Sequence, residues 1–239
     1  MRLDAYLSHC TALSRKEARR AIVAGRVTLD DLPATRASAP VSATARVMLD
    51  GEPLALPGHL YLMLNKPAGL LSATTDASHP VVTDLLPEPL AHRVHPVGRL
   101  DLDTTGLLLL SSDGQWSHRI TSPRHGCPKT YRVTLAERLT GPARRQLEQG
   151  MRLRNDETVA PAQVAPAGDR VIDLTITEGR YHQVKRMLAA VGNHVEALHR
   201  RRIGPLELDP DLGPGHWRHL TGDEVRLLGR ATDARSARR

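Results

Sequence analysis

The sequence predicts an α+β protein built on a mixed or antiparallel sheet, with a small basic α/β unit ahead of it. Three observations lead there. Strand-like apolar runs outnumber amphipathic helical ones, and the two do not alternate strictly as a doubly wound fold requires. From Leu32 to Gly58 the composition turns rich in Pro, Ala, Ser and Thr. That shift divides 239 residues into a unit at 1–57, a larger unit at 58–230 and an Arg/Ala/Ser-rich tail at 231–239, lengths that suit two separate cores.

In the first unit, Ser14 and Glu17 have the Ser-x-x-Glu spacing of a capping box, so a helix is expected to start at Arg15. Ala18, Ala21 and Ile22 fall on one side of it, while Arg15, Lys16, Arg19 and Arg20 fall largely on the other. Gly25 supplies a stop. Gly25-Arg26-Val27-Thr28-Leu29-Asp30 reads as a turn into a short strand, and Ala45–Leu49 as another. The second unit opens with Leu60–Leu64, a buried-strand candidate that runs into Asn65-Lys66-Pro67. Further strands are expected at Gly106–Leu110, Thr130–Leu135, Val171–Ile176 and His194–Leu198, and helices at Gly141–Gly150 and Gln183–Val191. In the last helix Val184, Met187, Leu188 and Val191 follow the i, i+3, i+4, i+7 rule, and Gly192 ends it. The tail from Arg230 is expected to fray.

Composition narrows the function. Lys and Arg total 33 against 26 Asp and Glu, a formal charge of +7, so nucleic acid, an anionic membrane or an acidic substrate are the candidate partners. Only four of the 33 cations are lysines. Arginine's planar fork grips phosphate in two places, which suits RNA, although a GC-rich coding sequence would produce the same bias. Two cysteines, Cys10 and Cys127, cannot form a disulfide framework or a zinc site alone, which points to a reducing cytoplasm. The longest strictly apolar run is Leu107–Leu110, far short of the roughly 20 residues of a membrane helix. The N-terminus lacks a signal-peptide core. Secretion and membrane spanning are therefore not expected.

The most informative stretch is Val97-Gly98-Arg99-Leu100-Asp101-Leu102-Asp103-Thr104-Thr105-Gly106. Two glycines bracket two carboxylates and a guanidinium just before the apolar run. One reading makes a single aspartate a catalytic nucleophile or base. A second sees Asp101-x-Asp103-x-Thr105 as the D-x-D-x-T signature of magnesium phosphatases, although His95–Leu100 makes a poor strand to precede it. A third is a surface turn. Taken alone, the segment leaves the three equal. His182, His194, His199 and His216 lack recognised metal-ligand spacing, and Arg200-Arg201-Arg202 reads equally as a phosphate grip or a solvated turn.

The wider text separates these readings. Gly98-Arg99-Leu100-Asp101-x-x-Thr104-x-Gly106, with Asn65-Lys66-Pro67 before it, resembles the pseudouridine synthases. Lys129-Thr130-Tyr131-x-Val133 and Glu178-Gly179-Arg180-Tyr181-His182-Gln183-Val184-Lys185-Arg186-Met187 after it extend the likeness in the family's order and spacing. Asp113–His125 and Ala189–Val195 look like the small-subunit branch, pseudouridine synthase A, in particular. Arg2-Leu3-Asp4, the Ser14–Gly25 helix and Gly25-Arg26-Val27-Thr28 are similar to the small S4-like RNA-binding module found ahead of that catalytic domain.

The resemblance implies a cofactor-free isomerase that breaks the C1′–N1 bond of a flipped uridine, turns the uracil and rejoins it through C5. Asp101 matches the essential aspartate, and Lys185 the basic residue that keeps it ionised in a largely dry pocket. Tyr131 matches the tyrosine against the uracil ring, Val184 the apolar wall opposite, and Arg99 the arginine that holds the vacated place of the base. Arg180 falls on the same substrate side. Arg15, Lys16, Arg19, Arg20 and Arg26 become the RNA-binding cations of the first unit. The implied partner is 16S ribosomal RNA or a partly assembled small subunit, the implied target uridine 516, and the chain is expected to act as a monomer without metal. A large-subunit synthase, the phosphatase and a purely binding assembly factor are the rivals.

Overall fold

In a computed structural model of the chain, the capping box closes as its spacing predicts: the Glu17 N–H donates to Ser14 Oγ and the Ser14 N–H donates to Glu17 Oε2 at 2.8 Å. The structure describes all residues except 12, 43–44, 55–57, 154–155 and 237–239, and gives the backbone alone for 231–236. Pro57 of the expected linker and the end of the expected tail lie outside the described residues. Two units separate between Gly58 and His59.

In the first unit, helix α1 (Leu3–Cys10) precedes the capped helix α2 (Arg15–Val23). Strands β1 (Val27–Leu29), β2 (Leu32–Pro33), β3 (Val47–Leu49) and β4 (Glu52–Leu54) form an antiparallel sheet in the order β2-β1-β3-β4. Leu3, Tyr6 and Leu7 of α1 pack with Ala18, Ala21 and Ile22 of α2 over Val27 and Val47. The sequence reading missed α1 because its cap position, Arg2, makes no side-chain capping bond. The helix is instead fixed by Asp4, which is fully buried and accepts from both Arg2 and Arg19.

The second unit is a mixed sheet. Its elements in chain order are β5 (Tyr61–Lys66), α3 (Glu88–Ala91), β6 (His95–Pro96), β7 (Thr105–Ser111), α4 (Gly114–Thr121), β8 (Lys129–Leu135) and α5 (Gly141–Gln149). There follow β9 (Met151–Arg152), β10 (Thr158–Val159), β11 (Gln163–Pro166), β12 (Val171–Ile176), α6 (Gln183–Ala190), β13 (Val195–Ile203), β14 (Leu206–Glu207), β15 (Trp217–His219) and α7 (Gly222–Ser236). The main path runs β11-β12-β8-β13-β7-β5-β15, with β6 paired to β7 and β14 to β13. Among these described pairs every one is antiparallel except β13 with β7.

Leu107–Leu110 are all fully buried because this strand has a core on each face. Leu108 and Leu110 join Leu62, Leu64, Val133 and Leu188 on one side, while Leu107 and Leu109 join Met63, Trp116 and Ile120 on the other. A strand covered on both faces reads as a continuous apolar run rather than an alternating one. Its parallel seam with β13 pairs His199 with Thr105 and Arg200 with Gly106. Gly106 has φ +100°, and a Cβ there would sit 2.4 Å from the Arg200 carbonyl oxygen, so only glycine fits.

Strand β13 extends past the expected Leu198 to Ile203, so the Arg200–Arg202 run lies within a strand and is not a solvated turn. Strand alternation sends Leu198 and Arg200 into the interior, while Arg201 pairs with Asp173. Helix α7 carries its backbone into the segment read as a tail. Among the described residues no helix is long and apolar enough to cross a membrane.

Candidate functional site

The segment between β6 and β7 is pinned almost atom by atom. Lys66, at the end of β5, is fully buried, and its ammonium donates to the carbonyls of Pro67, Asp101, Leu102 and Thr104 at 3.0, 3.1, 3.3 and 2.9 Å. Ser72 Oγ donates to the Leu100 carbonyl at 2.9 Å and accepts from the Leu100 N–H at 3.0 Å. The Gly69 N–H reaches the Leu102 carbonyl at 2.8 Å, and Arg200 Nη1 the Arg99 carbonyl at 3.5 Å. Burial pulls the Lys66 ammonium down to a pKa of about 8, despite the opposing fields of Asp103 and Asp101. The Asn-Lys-Pro motif thus supplies a point of positive charge around which the loop carbonyls converge.

That clamp presents Asp101. Its carboxylate lies 3.4 Å from Lys185 Nζ and 3.5 Å from His182 Nε2, both delivered by the start of α6. Lys185 binds Asp103 more closely, at 2.6 and 2.9 Å. Burial pulls the Lys185 ammonium down, but the hydrogen bond to Asp103 and the charges of Asp101 and Asp103 outweigh it, and its pKa is raised. The same hydrogen bond lowers the Asp103 pKa. Asp101 keeps 26% of its side chain exposed, so the site is wetter than the largely dry pocket expected from sequence. Water shares in solvating this charge, and losing Lys185 would cost less than the roughly 3–5 kcal/mol of a fully buried orphan.

Asp101 stands in a cleft whose other walls include Tyr131, Val184 and Leu198. Tyr131 comes from β8 and is 8% exposed, and Val184, on the buried face of α6, is 4% exposed. Beneath Tyr131 lies Arg200, whose Nε donates to the Leu107 carbonyl at 2.7 Å and whose guanidinium carbon is 5.9 Å from the ring centroid. Arg99 and Arg180 also line the cleft. Arg99 is exposed, whereas Arg180 is held by Glu178 at 2.8 Å and Glu157 at 2.5 Å. Gln183 Nε2 donates to Glu178 and its Oε1 accepts from the Arg180 N–H, which ties the turn before α6 together.

The cleft therefore brings Asp101, Tyr131, Val184, Arg99 and Arg180 together, and Lys185 joins them through its contact with Asp101. In the first unit, Arg15, Lys16 and Arg20 are exposed on α2, Arg19 is held by Asp4, and Arg26 is paired in a two-pronged bond with Asp50. Sequence reasoning missed the roles of Lys66, Ser72 and Arg200 and the proximity of His182 to Asp101. A lysine closing an apolar strand and followed by proline was the available signal for Lys66.

The phosphatase reading fails on these distances. A D-x-D-x-T metal site needs both carboxylates to converge on open space, and here the Lys185 ammonium occupies that position. Thr105 instead hydrogen bonds through Oγ1 with His199 Nδ1 at 2.9 Å, and the motif precedes its strand rather than ending one.

Known proteins resemble this chain over most of its length. The family described as RNA pseudouridylate synthase matches residues 60–190, and the S4 domain matches residues 1–53. A ribosomal small subunit pseudouridine synthase A from Yersinia pestis is 48% identical over 96% of this chain and 98% of its own length. The protein of that name from Escherichia coli K12 is 48% identical over 94% of this chain and 98% of its own length. A crystal structure of a pseudouridylate synthase superposes with a TM-score of 0.70 at 42% identity, covering 95% of this chain and 99% of that one.

Proposed function

We propose, from the premise that this chain belongs to the RNA pseudouridylate synthase family and carries an S4 domain, that it isomerises a uridine of small-subunit ribosomal RNA, uridine 516, to pseudouridine. The observation that carries the reading is the placement of Asp101. It is a carboxylate on a rigid loop, a quarter exposed, with an ammonium at 3.4 Å and an aromatic and an aliphatic wall beside it.

The chemistry needs little else. The C1′–N1 bond breaks, the uracil turns, and a C5–C1′ bond forms while C5 loses a proton and N1 gains one, so no oxidant, reductant or second substrate enters. Addition of the aspartate to C1′ and removal of a proton from C2′ both require an ionised oxygen beside the ribose, which Asp101 supplies. Lys185 keeps positive charge at that oxygen. Tyr131 and Val184 enclose the uracil while it is detached, and Arg99 faces the strand it left. Extruding the base costs a few kcal/mol, recovered by these contacts.

The first unit holds RNA phosphates through Arg15, Lys16 and Arg20, with Arg19 and Arg26 shaping the same surface, in salt-sensitive contacts. Its ligand is 16S RNA, naked or in a partly assembled subunit. The test is chemical mapping of pseudouridine in 16S and 23S RNA after incubation with the purified chain. A new pseudouridine at position 516 is expected. Modification of 23S RNA alone overturns the substrate assignment, and no modification of either overturns the activity.

A further inference from the structure

The chain contains no phenylalanine, four tyrosines and two tryptophans. Tyr6, Tyr131 and Trp116 are buried, Tyr61 and Trp217 are partly buried, and only Tyr181 stands in solvent, with 76% of its surface exposed. It lies between Arg180 and His182, both of which line the Asp101 cleft. Its ring stacks on that of His182, with centroids 3.8 Å apart and planes 17° from parallel, and His182 in turn lies 3.5 Å from Asp101.

The arrangement is held rigid from below. His182 has φ +48°, a left-handed conformation that a non-glycine residue adopts only where its surroundings hold it. Arg186 Nη1 donates to the Tyr181 carbonyl at 3.2 Å, and Glu157 holds both Arg186 and Arg180. One ring face is therefore covered by imidazole, and the other is open at a fixed distance from the reacting carboxylate. An exposed aromatic ring on a rigid turn is what a nucleobase requires for stacking, whatever its identity, because every base has a π-face.

We infer that Tyr181, backed by His182, is a stacking platform for the base adjoining the extruded uridine. When a uridine leaves its stack, each neighbouring base loses one covered face. The Tyr181 ring restores cover to one of them, and the ordered pair Tyr181–His182 sets that neighbour's distance from Asp101. Tyr181 is a positioning residue in this scheme, and the inference rests on the proposed function.

The test is a binding cycle. Affinities of the wild-type chain, Tyr181→Ala and Tyr181→Phe are measured for a 16S RNA hairpin containing the target uridine. The same is done for two copies in which the nucleotide on its 5′ or its 3′ side is abasic. Tyr181→Ala is expected to weaken binding of the intact hairpin about tenfold. Tyr181→Phe should bind within about twofold of wild type, because the ring and not the hydroxyl is used. On one of the two abasic hairpins the difference between wild type and Tyr181→Ala should vanish. The single-turnover rate at saturating RNA should change less than affinity does. Equal affinity of Tyr181→Ala and wild type, or a loss that persists on both abasic hairpins, overturns the platform. Failure of the wild-type chain to bind and isomerise the intact hairpin overturns the proposed substrate as well.

Discussion

Arg2-Leu3-Asp4 and Arg99-Leu100-Asp101 are the same three residues in the same order, and their aspartates meet opposite circumstances. Asp4 is fully buried at the start of a helix, gripped through Nε and Nη2 of Arg2 and through Nε of Arg19. The hydrogen bond from Arg2 leads in drawing its pKa down to about 2, against the effect of burial. Asp101 lies in a loop, a quarter exposed. Among the described residues its carboxylate pairs with the Lys185 ammonium, lies 3.5 Å from His182 Nε2, and has no ion pair with an arginine. Guanidinium forks occupy most of the lone pairs of the first carboxylate. The second shares one ammonium with Asp103, and its oxygens still face a cleft. A tripeptide cannot encode that difference; the partners brought from elsewhere in the chain do.

The comparison breaks most sharply on activity. Asp101→Asn is expected to lower isomerisation by about a thousandfold or more, with RNA affinity within about tenfold of wild type. Asp4→Asn should leave the single-turnover rate at saturating RNA within about twofold. Near-normal turnover by Asp101→Asn, measured by pseudouridine mapping against time, would remove the distinction altogether.

Lys66 sharpens it next, since the Asp101 loop is held by a buried ammonium and Asp4 by its own arginines. Lys66→Met should lower kcat by about 10- to 100-fold, because a displacement on the order of 1 Å at a reacting group costs about that much. Unfolding in urea should shift by less than about 2 kcal/mol, since relief of the ammonium's desolvation offsets the carbonyls' lost donor. A stability loss as large as the activity loss would make Lys66 a general core residue.

The same lysine gives a pH signature. As pH rises through about 8, Lys66 loses a donor to the loop, so kcat should fall with an apparent pKa near that value. Its folded pKa lies below the unfolded 10.5, so the unfolded chain binds more protons between about pH 8 and 10.5. The contribution of Lys66 to stability must therefore rise with pH over that window while activity falls. Lys66→Met should lack both trends.

The smallest effect belongs to Asp4. Asp4→Asn should destabilise the first unit by about 2 kcal/mol, read as faster amide exchange in α1 and α2 with β7 unchanged. The folded pKa of Asp4 lies below its unfolded 3.8, so its contribution is complete above about pH 4 and fades as pH falls toward 2. The variant should show no such acid limb.

Much of this architecture was legible in the text. The capping box fixed the start of α2, the i, i+3, i+4, i+7 pattern placed α6, and the apolar run at Gly106–Leu110 marked a strand, which the structure covers on both faces. The residues that line the cleft were named through the resemblance to pseudouridine synthases, since the Gly98–Gly106 segment alone left three readings open. The supports beneath them were not, because they act over long separations: Lys66 reaches carbonyls 35 to 38 positions away, and Arg200 reaches Arg99 across 101. Within Arg200-Arg201-Arg202, nothing local tells which arginine turns inward; the register of β13 against β8 and β7 does. Helix α1 was missed because its stabilising group, Asp4, works through tertiary partners rather than a cap.

The bare backbone at Gly106 has a consequence for how the cleft can vary. Asp101 hangs from the strand on one side of this joint, whereas Tyr131 and Lys185 belong to the half-sheet and helix on the other. The two walls are thus gauged by main chain touching main chain, with no methyl group between them to act as a shim. Evolution can repaint the lining of the cleft one side chain at a time, but its width is inherited from the joint and does not change by small steps.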